Sequence, residues 1–487
     1  MRELGGHKGR GLMKTIDWRL VIYYLLLILI GWVNIYASVH SSEPTSIFDW
    51  DCRSGKQAVW ILTSFCLALL ILFVLSPRIY EGLSVPIYAI VILLLIAVIF
   101  LGIEVKGSRS WFAFGAIRFQ PAEISKISTS LMLATFMSQL GYRIGRMKDF
   151  IITALIILVP MMIIVLQSET GSALVYVGFI FMLYREGLSG WLIFLIGMAI
   201  LTFILTLTAS PFTAILVLAG ITSFCMFLFS GRLKWWLMIG LPTIILLAFV
   251  PSILGALTDP EVPSFWDKIK PMYILWGLLA IAVPGGIIAA FREGNRFANL
   301  AILSFLAGIV LVYSTDFIFN DVLQDHQRKR IEVLLGMKED PAGVGYNVNQ
   351  AKIAIGSGGF AGKGYLNGTQ TAYGFVPEQS TDFIFCTIGE EWGFLGSASL
   401  ILLYVLLIWR IIKDAEKSRE AFTRIYGYCV ACCIFMHLFI NIGMTLGIMP
   451  VIGIPLPFVS YGGSSLWGFT ILLFIFIALH RNENKYF

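Results

Sequence analysis

The chain has 487 residues; 58% belong to the apolar set and only 13% are charged, with a net charge of +6 and a mean hydropathy of +0.84. A soluble domain is roughly 45–50% apolar and about 25% charged, so this excess is too large for a soluble core. A soluble enzyme, a disordered protein and a basic nucleic-acid binder are all excluded.

Apolar runs begin early, at Val21–Ile30, Ile61–Leu75 and Ile87–Leu101. Runs of about 20 apolar residues cross a hydrocarbon layer of ~30 Å as helices. The pattern predicts an all-α polytopic membrane protein. About fourteen spans are expected, over residues 20–39, 57–76, 84–103, 122–140, 150–166, 170–184, 189–207, 212–229, 235–257, 272–290, 297–316, 383–409, 425–444 and 457–479. The basic start (Arg2, Lys8, Arg10, Lys14, Arg19) runs into a full-length span, so no cleavable signal peptide is expected.

Lys and Arg gather on the cytoplasmic side of membrane proteins. With the N-terminus inside, 21 of the 35 basic residues fall inside and 13 outside, with Lys126 within a span. The split predicts an even number of spans and both termini in the cytoplasm. The seven cysteines form no disulfide framework, and Cys429-x-x-Cys432 lies within a span without a second pair.

In the second outside segment, between the third and fourth spans, Arg109 and Arg118 flank Trp111. They suit a diphosphate, or an interface anchor. Glu123 and Lys126 follow Gln120-Pro121, three apart on the fourth span. Opposite charges at that spacing share a helix face and pair, because an unpaired ion in the membrane costs at least ~2.5–3.5 kcal/mol. The pair forms either a polar cavity for a charged headgroup or a structural salt bridge. Glu169, in Gln167-Ser-Glu-Thr-Gly171, sits in a short outside turn as part of a cation site or as a polar turn residue.

Residues 317–382 are polar and glycine-rich and face outside in this topology. A loop of this length is usually functional or disordered, and this one is not low-complexity. It carries Asp340-Pro341, then Ala354-Ile-Gly-Ser-Gly-Gly359, Gly362-Lys-Gly364 and Gly368-Thr-Gln-Thr371. It is not a Walker loop, since Ser357 and Gly364 stand where Gly and Ser or Thr are needed. Pro341 biases Asp340 towards extended backbone. A carboxylate so held can take a proton from a sugar hydroxyl, or simply shape a turn. Towards the C-terminus, Lys413–Arg424 reads as a solvated inside turn, and His437 as a hydrogen bond between packed helices.

Four motifs together resemble one family, the shape, elongation, division and sporulation (SEDS) glycosyltransferases. They are Arg118-Phe-Gln-Pro-x-Glu-x-x-Lys126, Ala354–Gly359, Pro377-Glu-x-x-Thr-Asp-Phe-Ile-Phe with Gly-Glu-Glu391, and Asn441 through Ser465. Gly368–Thr371 resembles the elongation branch more than the division branch. Two departures stand out. The family has ten spans, so about four extra ones lie near 190–316, and Gln167-Ser-Glu replaces the family's Gln-Pro-Asp.

The resemblance implies one membrane domain over 1–487, with extra spans in 190–316 and a catalytic extracellular loop at 317–382. It implies a bacterial cytoplasmic-membrane enzyme that polymerises lipid II into glycan strands during wall elongation and rod-shape maintenance. A division-type polymerase and a lipid II flippase are the alternatives. Asp340 matches the family's loop aspartate, read as general base. Arg109, Arg118, Glu123, Lys126, Lys363, Gln370, Glu378 and Asp382 are the implied substrate-binding residues. A divalent cation, Mg²⁺ or Mn²⁺, is implied with the diphosphate. The implied partners are lipid II, the growing lipid-linked strand, a class B penicillin-binding protein and other elongation-complex proteins, with no nucleic acid.

Overall fold

The computed structural model describes residues 16–39, 46–105, 107–114, 117–229, 271–293, 296–323, 325–335, 337 and 344–484. The expected span 235–257 and Asp340 lie outside the described residues. The chain is a helical, multi-pass membrane protein. Among the described residues eight helices are long and apolar enough to cross a membrane, and four shorter apolar helices accompany them. The chain divides into two compact units, residues 1–188 with 338–487, and residues 189–337.

The first unit opens with α1 (Trp18–Val39), α2 (Arg53–Leu69, continued by a π-helical turn to Val74) and α3 (Pro77–Leu101). The segment expected as a plain outside loop is instead a small antiparallel sheet, β1 (Ile103–Val105), β2 (Ser108–Phe114) and β3 (Ile117–Phe119). The run Ser108–Phe114 carries Trp111, Phe112 and Phe114, aromatic residues that suit a strand. Helices α4 (Pro121–Met137), α5 (Met147–Leu166), α6 (Thr170–Val177) and α7 (Phe179–Arg185) follow. Pro77 and Pro121 each open a helix, where the missing N–H costs nothing.

The second unit holds α8 (Gly190–Thr208), α9 (Pro211–Phe229), α10 (Pro271–Glu293), α11 (Arg296–Phe317), a π-helical turn (Ile318–Val322) and α12 (Asp325–Leu334). Its core gathers Met198, Ile215, Leu218, Leu275, Phe305 and Val312. Gly308 lets α11 close on Leu218, since a Cβ there would stand 2.9 Å from a Leu218 methyl.

The chain returns to the first unit with α13 (Val344–Ser357), α14 (Thr369–Ala372), α15 (Ile384–Lys417), α16 (Ala421–Thr445) and α17 (Gly463–Asn484). Among its described residues the 317–382 segment is more than half helical, and its first third belongs to the second unit. In the first unit's core Tyr24 meets Phe458 edge-on at 5.2 Å and hydrogen-bonds Thr470 at 3.1 Å. Gly31 brings the α1 backbone onto the extended segment before α17; a Cβ there would lie 2.6 Å from the Val459 Cα.

Candidate functional site

The Gly-Glu-Glu run of α15 organises one end of the first unit. Glu390 is fully buried, and a buried carboxylate is tolerated only when paired and hydrogen-bonded. Its Oε1 accepts from Lys363 Nζ at 2.7 Å and from the Gln370 backbone N–H at 2.9 Å. Its Oε2 accepts from the Thr371 N–H at 2.9 Å. Glu391 accepts from the Leu366 N–H at 3.2 Å. Lys363 also donates to Thr369 at 2.8 Å.

Helix α15 is broken at Gly393 (φ 63°, ψ −157°). In an unbroken helix the N–H groups of Phe394 and Leu395 would bond the carbonyls of Glu390 and Glu391. Here Phe394 donates to the Gly359 carbonyl at 2.9 Å and Leu395 to that of Phe360 at 3.2 Å. The freed Glu390 and Glu391 carbonyls accept from Lys363 N–H at 3.0 Å and Gly364 N–H at 2.9 Å. The glycines of the preceding segment thus replace two helical bonds with four cross-links. All four of these freed backbone groups have partners.

Beside this clamp, Pro377–Phe383 is knitted to three elements. Asn441 of α16 donates to the carbonyls of Asp382 at 2.8 Å and Ile454 at 2.7 Å. The Tyr461 N–H donates to Ser380 at 2.9 Å. Arg53, at the start of α2, donates to the Ser380 hydroxyl and lies 5.9 Å over the Tyr461 ring. Glu378 is exposed with φ 53°, a left-handed conformation that is uncommon outside glycine. Its neighbour Thr381 donates to the Glu378 carboxylate at 3.1 Å.

A second polar cluster lies in the helical core. Lys126 is 2% exposed and donates to Glu123 at 2.9 Å. Its ammonium also lies 2.8 Å from His437 Nε2 and 4.8 Å from the Phe469 ring centre. His437 Nδ1 is 3.1 Å from the Pro455 carbonyl. A carbonyl can only accept, so Nδ1 carries the proton and Nε2 accepts from Lys126. The imidazole is neutral, and the ammonium is shared between a carboxylate and an aromatic nitrogen. His437 therefore makes the interhelical bond expected from the sequence, with Lys126 as its partner.

Glu169, in the turn between α5 and α6, accepts from Gln120 and from Ser172 at 2.6 Å. Burial pushes its carboxyl up to about 7, aided by nearby Glu123 and opposed by hydrogen bonds from Ser172 and Ser110 and by Lys126. The basic candidates do not share one contact set. Arg109 pairs across the β1–β2 ribbon with Glu104 at 3.6 Å, both exposed. The Arg118 carbonyl accepts from Ser464 at 2.9 Å, joining β3 to the start of α17. Lys363 is held by Glu390.

The opposite end of the unit is not a freely solvated turn. Arg410 pairs with Asp17 and with Asp414, Arg424 with Glu186 through two 3.0 Å bonds, and Arg185 with Glu416 at 2.6 Å. Within the Lys413–Arg424 run Arg424 is thus neutralised across helix ends, while Lys417 and Arg419 are exposed.

Sequence reasoning did not single out Arg53, Glu390 or the Lys126–His437 bond. Arg53 carried no motif. Glu390 sat in a quoted motif, and its place just inside an apolar span was the available signal. Among the described residues no three His, Cys, Asp or Glu side chains converge on one point as a ready-made cation cage.

Comparison with known proteins places this geometry. The chain is 31% identical over 445 residues to the peptidoglycan glycosyltransferase MrdB of Escherichia coli K12, covering 91% of this chain and 88% of that one. It is 30% identical over 474 residues to the peptidoglycan glycosyltransferase RodA of Treponema pallidum, covering 97% and 99%. Among solved structures, the rod shape-determining protein RodA of Thermus thermophilus matches with a TM-score of 0.53 at 22% identity, over 96% of this chain and 97% of that one. A chain from a peptidoglycan synthase complex matches with a TM-score of 0.56 at 24% identity, over 96% and 98%. Residues 17–218 and 282–485 match the FtsW/RodA/SpoVE family, described as cell cycle proteins, and the chain belongs to that family.

Proposed function

We propose that this protein is a RodA-type peptidoglycan glycosyltransferase that polymerises lipid II into glycan strands during wall elongation. The observation that carries the reading is the near full-length similarity to MrdB and RodA, both peptidoglycan glycosyltransferases by name. The clustering of Lys363, Gln370, Glu378 and Asp382 at one end of the first unit supports it. The site faces the outside of the bacterial cytoplasmic membrane, with both termini in the cytoplasm; the uneven split of Lys and Arg supports this orientation.

In this reading the acceptor's GlcNAc 4-hydroxyl attacks C1 of the donor MurNAc, and the lipid diphosphate leaves. Asp340 takes the hydroxyl proton, a role typically contributing about 10²–10⁴-fold. Arg109, Arg118 and Lys363 contact the diphosphate. Gln370, Glu378 and Asp382 receive the remainder of the substrate; Glu123 and Lys126, 4% and 2% exposed, instead form the structural salt bridge of the core. Mg²⁺ is commonly held by one or two carboxylates together with substrate phosphates. That mode of binding suits a site without a preformed cage and applies to Mg²⁺ or Mn²⁺ here. The partner is a class B penicillin-binding protein; the match to a chain whose complex is described as coordinating polymerization and crosslinking supports it.

The test is purified protein with labelled lipid II, with and without moenomycin, which blocks the other transferase class. Moenomycin-resistant glycan strands are expected. Translocation of lipid II across vesicles without strand formation would replace the reading with a flippase.

A further inference from the structure

We propose that Glu390 is a positioning residue for lipid II binding, setting Lys363 and Gln370 at once through a single buried carboxylate. The proposal rests on reading this segment as the substrate loop. Lys363 lies between Gly362 (φ 83°) and Gly364 (φ 96°), so its own backbone does little to restrain it. Order has to come from outside the turn, and Glu390 supplies it twice. The Glu390 carbonyl accepts the Lys363 N–H at 3.0 Å, and its carboxylate accepts the Lys363 ammonium at 2.7 Å.

The same carboxylate takes the N–H groups of Gln370 and Thr371, both at 2.9 Å. It thereby fixes the short turn that carries the Gln370 side chain. Packing leaves little slack, since a Cβ on Gly368 would stand 2.3 Å from the Thr371 hydroxyl and 3.0 Å from Glu390 Oε2. The Lys363 side chain is 26% exposed while that of Glu390 is 0% exposed. An ammonium has three N–H donors, and Glu390 and Thr369 take two of them. The third is the one offered to a phosphate oxygen. Glu390 itself is sealed away from substrate, so it acts through Lys363 and the Gln370 turn.

The experiment compares KM and kcat for lipid II polymerisation by wild type, Glu390→Gln, Lys363→Met and the double variant. A merely structural role lowers the amount of active enzyme, so apparent kcat falls while KM holds. Positioning gives the opposite pattern: Glu390→Gln should raise KM about 10-fold with kcat within about 3-fold of wild type. The double variant should raise KM no further than the worse single one, because the two residues act as a unit. Where Glu390→Gln yields too little folded protein, Glu390→Asp carries the test. Its shorter arm cannot meet Lys363 and both amides together, so KM again rises, by less. A folded variant with wild-type KM, or a loss confined to kcat, overturns the proposal. If wild type binds lipid II without making strands, the polymerase reading fails, and the same comparison of Kd for lipid II still decides the role of Glu390.

Discussion

Gly393 and Gly362 meet backbone to backbone, and a Cβ on Gly393 would stand 2.3 Å from the Gly362 nitrogen. On the other side, a Cβ on Gly362 would stand 2.1 Å from the Glu391 carbonyl oxygen. This contact lets the segment before α14 dock into the break of α15. It also accounts for both positive φ values, 63° and 83°.

Gly393→Ala and Gly362→Ala should therefore each destabilise the protein by more than the ~1–3 kcal/mol of backbone strain alone. Gly374→Ala is the control: its φ is 69°, but nothing lies within 4 Å of a Cβ there, so only strain is added. Thermal unfolding in detergent should rank Gly374→Ala as the mildest of the three.

Lys126→Met should be severe, because it leaves the Glu123 carboxylate buried without its cation; breaking one side of a buried pair costs about 3–5 kcal/mol. Glu123→Gln added to Lys126→Met removes the stranded charge and should recover much of the loss. Thermal unfolding of the two singles and the double variant measures this. A double variant less stable than either single would show that the pair is not the dominant interaction.

Glu169 gives the stability a pH dependence. Its folded carboxyl titrates at about 7 against an ordinary 4.5, so between those values the folded state holds more protons than the unfolded one. Stability from this group is fully present below the unfolded value and declines as pH rises through the folded one. Melting temperatures of wild type should fall from pH 5 to pH 7.5 more steeply than those of Glu169→Gln. Parallel curves would place the titration elsewhere.

The proposed orientation is open to labelling. Tyr373 is 77% exposed, and cysteine there should react with an impermeant thiol reagent in intact cells. Cysteine at Glu416, which meets Arg185 at the other end of the unit, should react only after permeabilisation. The reverse pattern would turn the site to the cytoplasm.

Much of this was legible in the sequence. Apolar runs marked the helices because a spanning helix must satisfy its backbone internally and face lipid. Glu123 and Lys126 were readable as a pair because three residues separate them on one helix. The third partner, His437, lies 311 positions away on α16, and no local pattern connects it to Lys126. The β1–β3 ribbon was missed because its strands are three to seven residues long, too short for alternation to stand out in an apolar chain. Arg424 looked solvated because its carboxylate partner, Glu186, comes from a distant helix end. The glycines of 356–364 read only as part of a glycine-rich loop that is not a Walker loop. Their packing against α15 depends on a break at Gly393 that only the tertiary contact reveals.

The most direct test of the central claim is strand synthesis from labelled lipid II by wild-type protein and by Asp340→Asn, side by side. An amide keeps the size of the carboxylate but cannot accept the proton. Wild type should make glycan strands, and a folded Asp340→Asn protein should lose at least the ~10²-fold expected for a missing general base. Near-normal synthesis by the variant would contradict the base assignment, and no strands from wild type would contradict the polymerase itself.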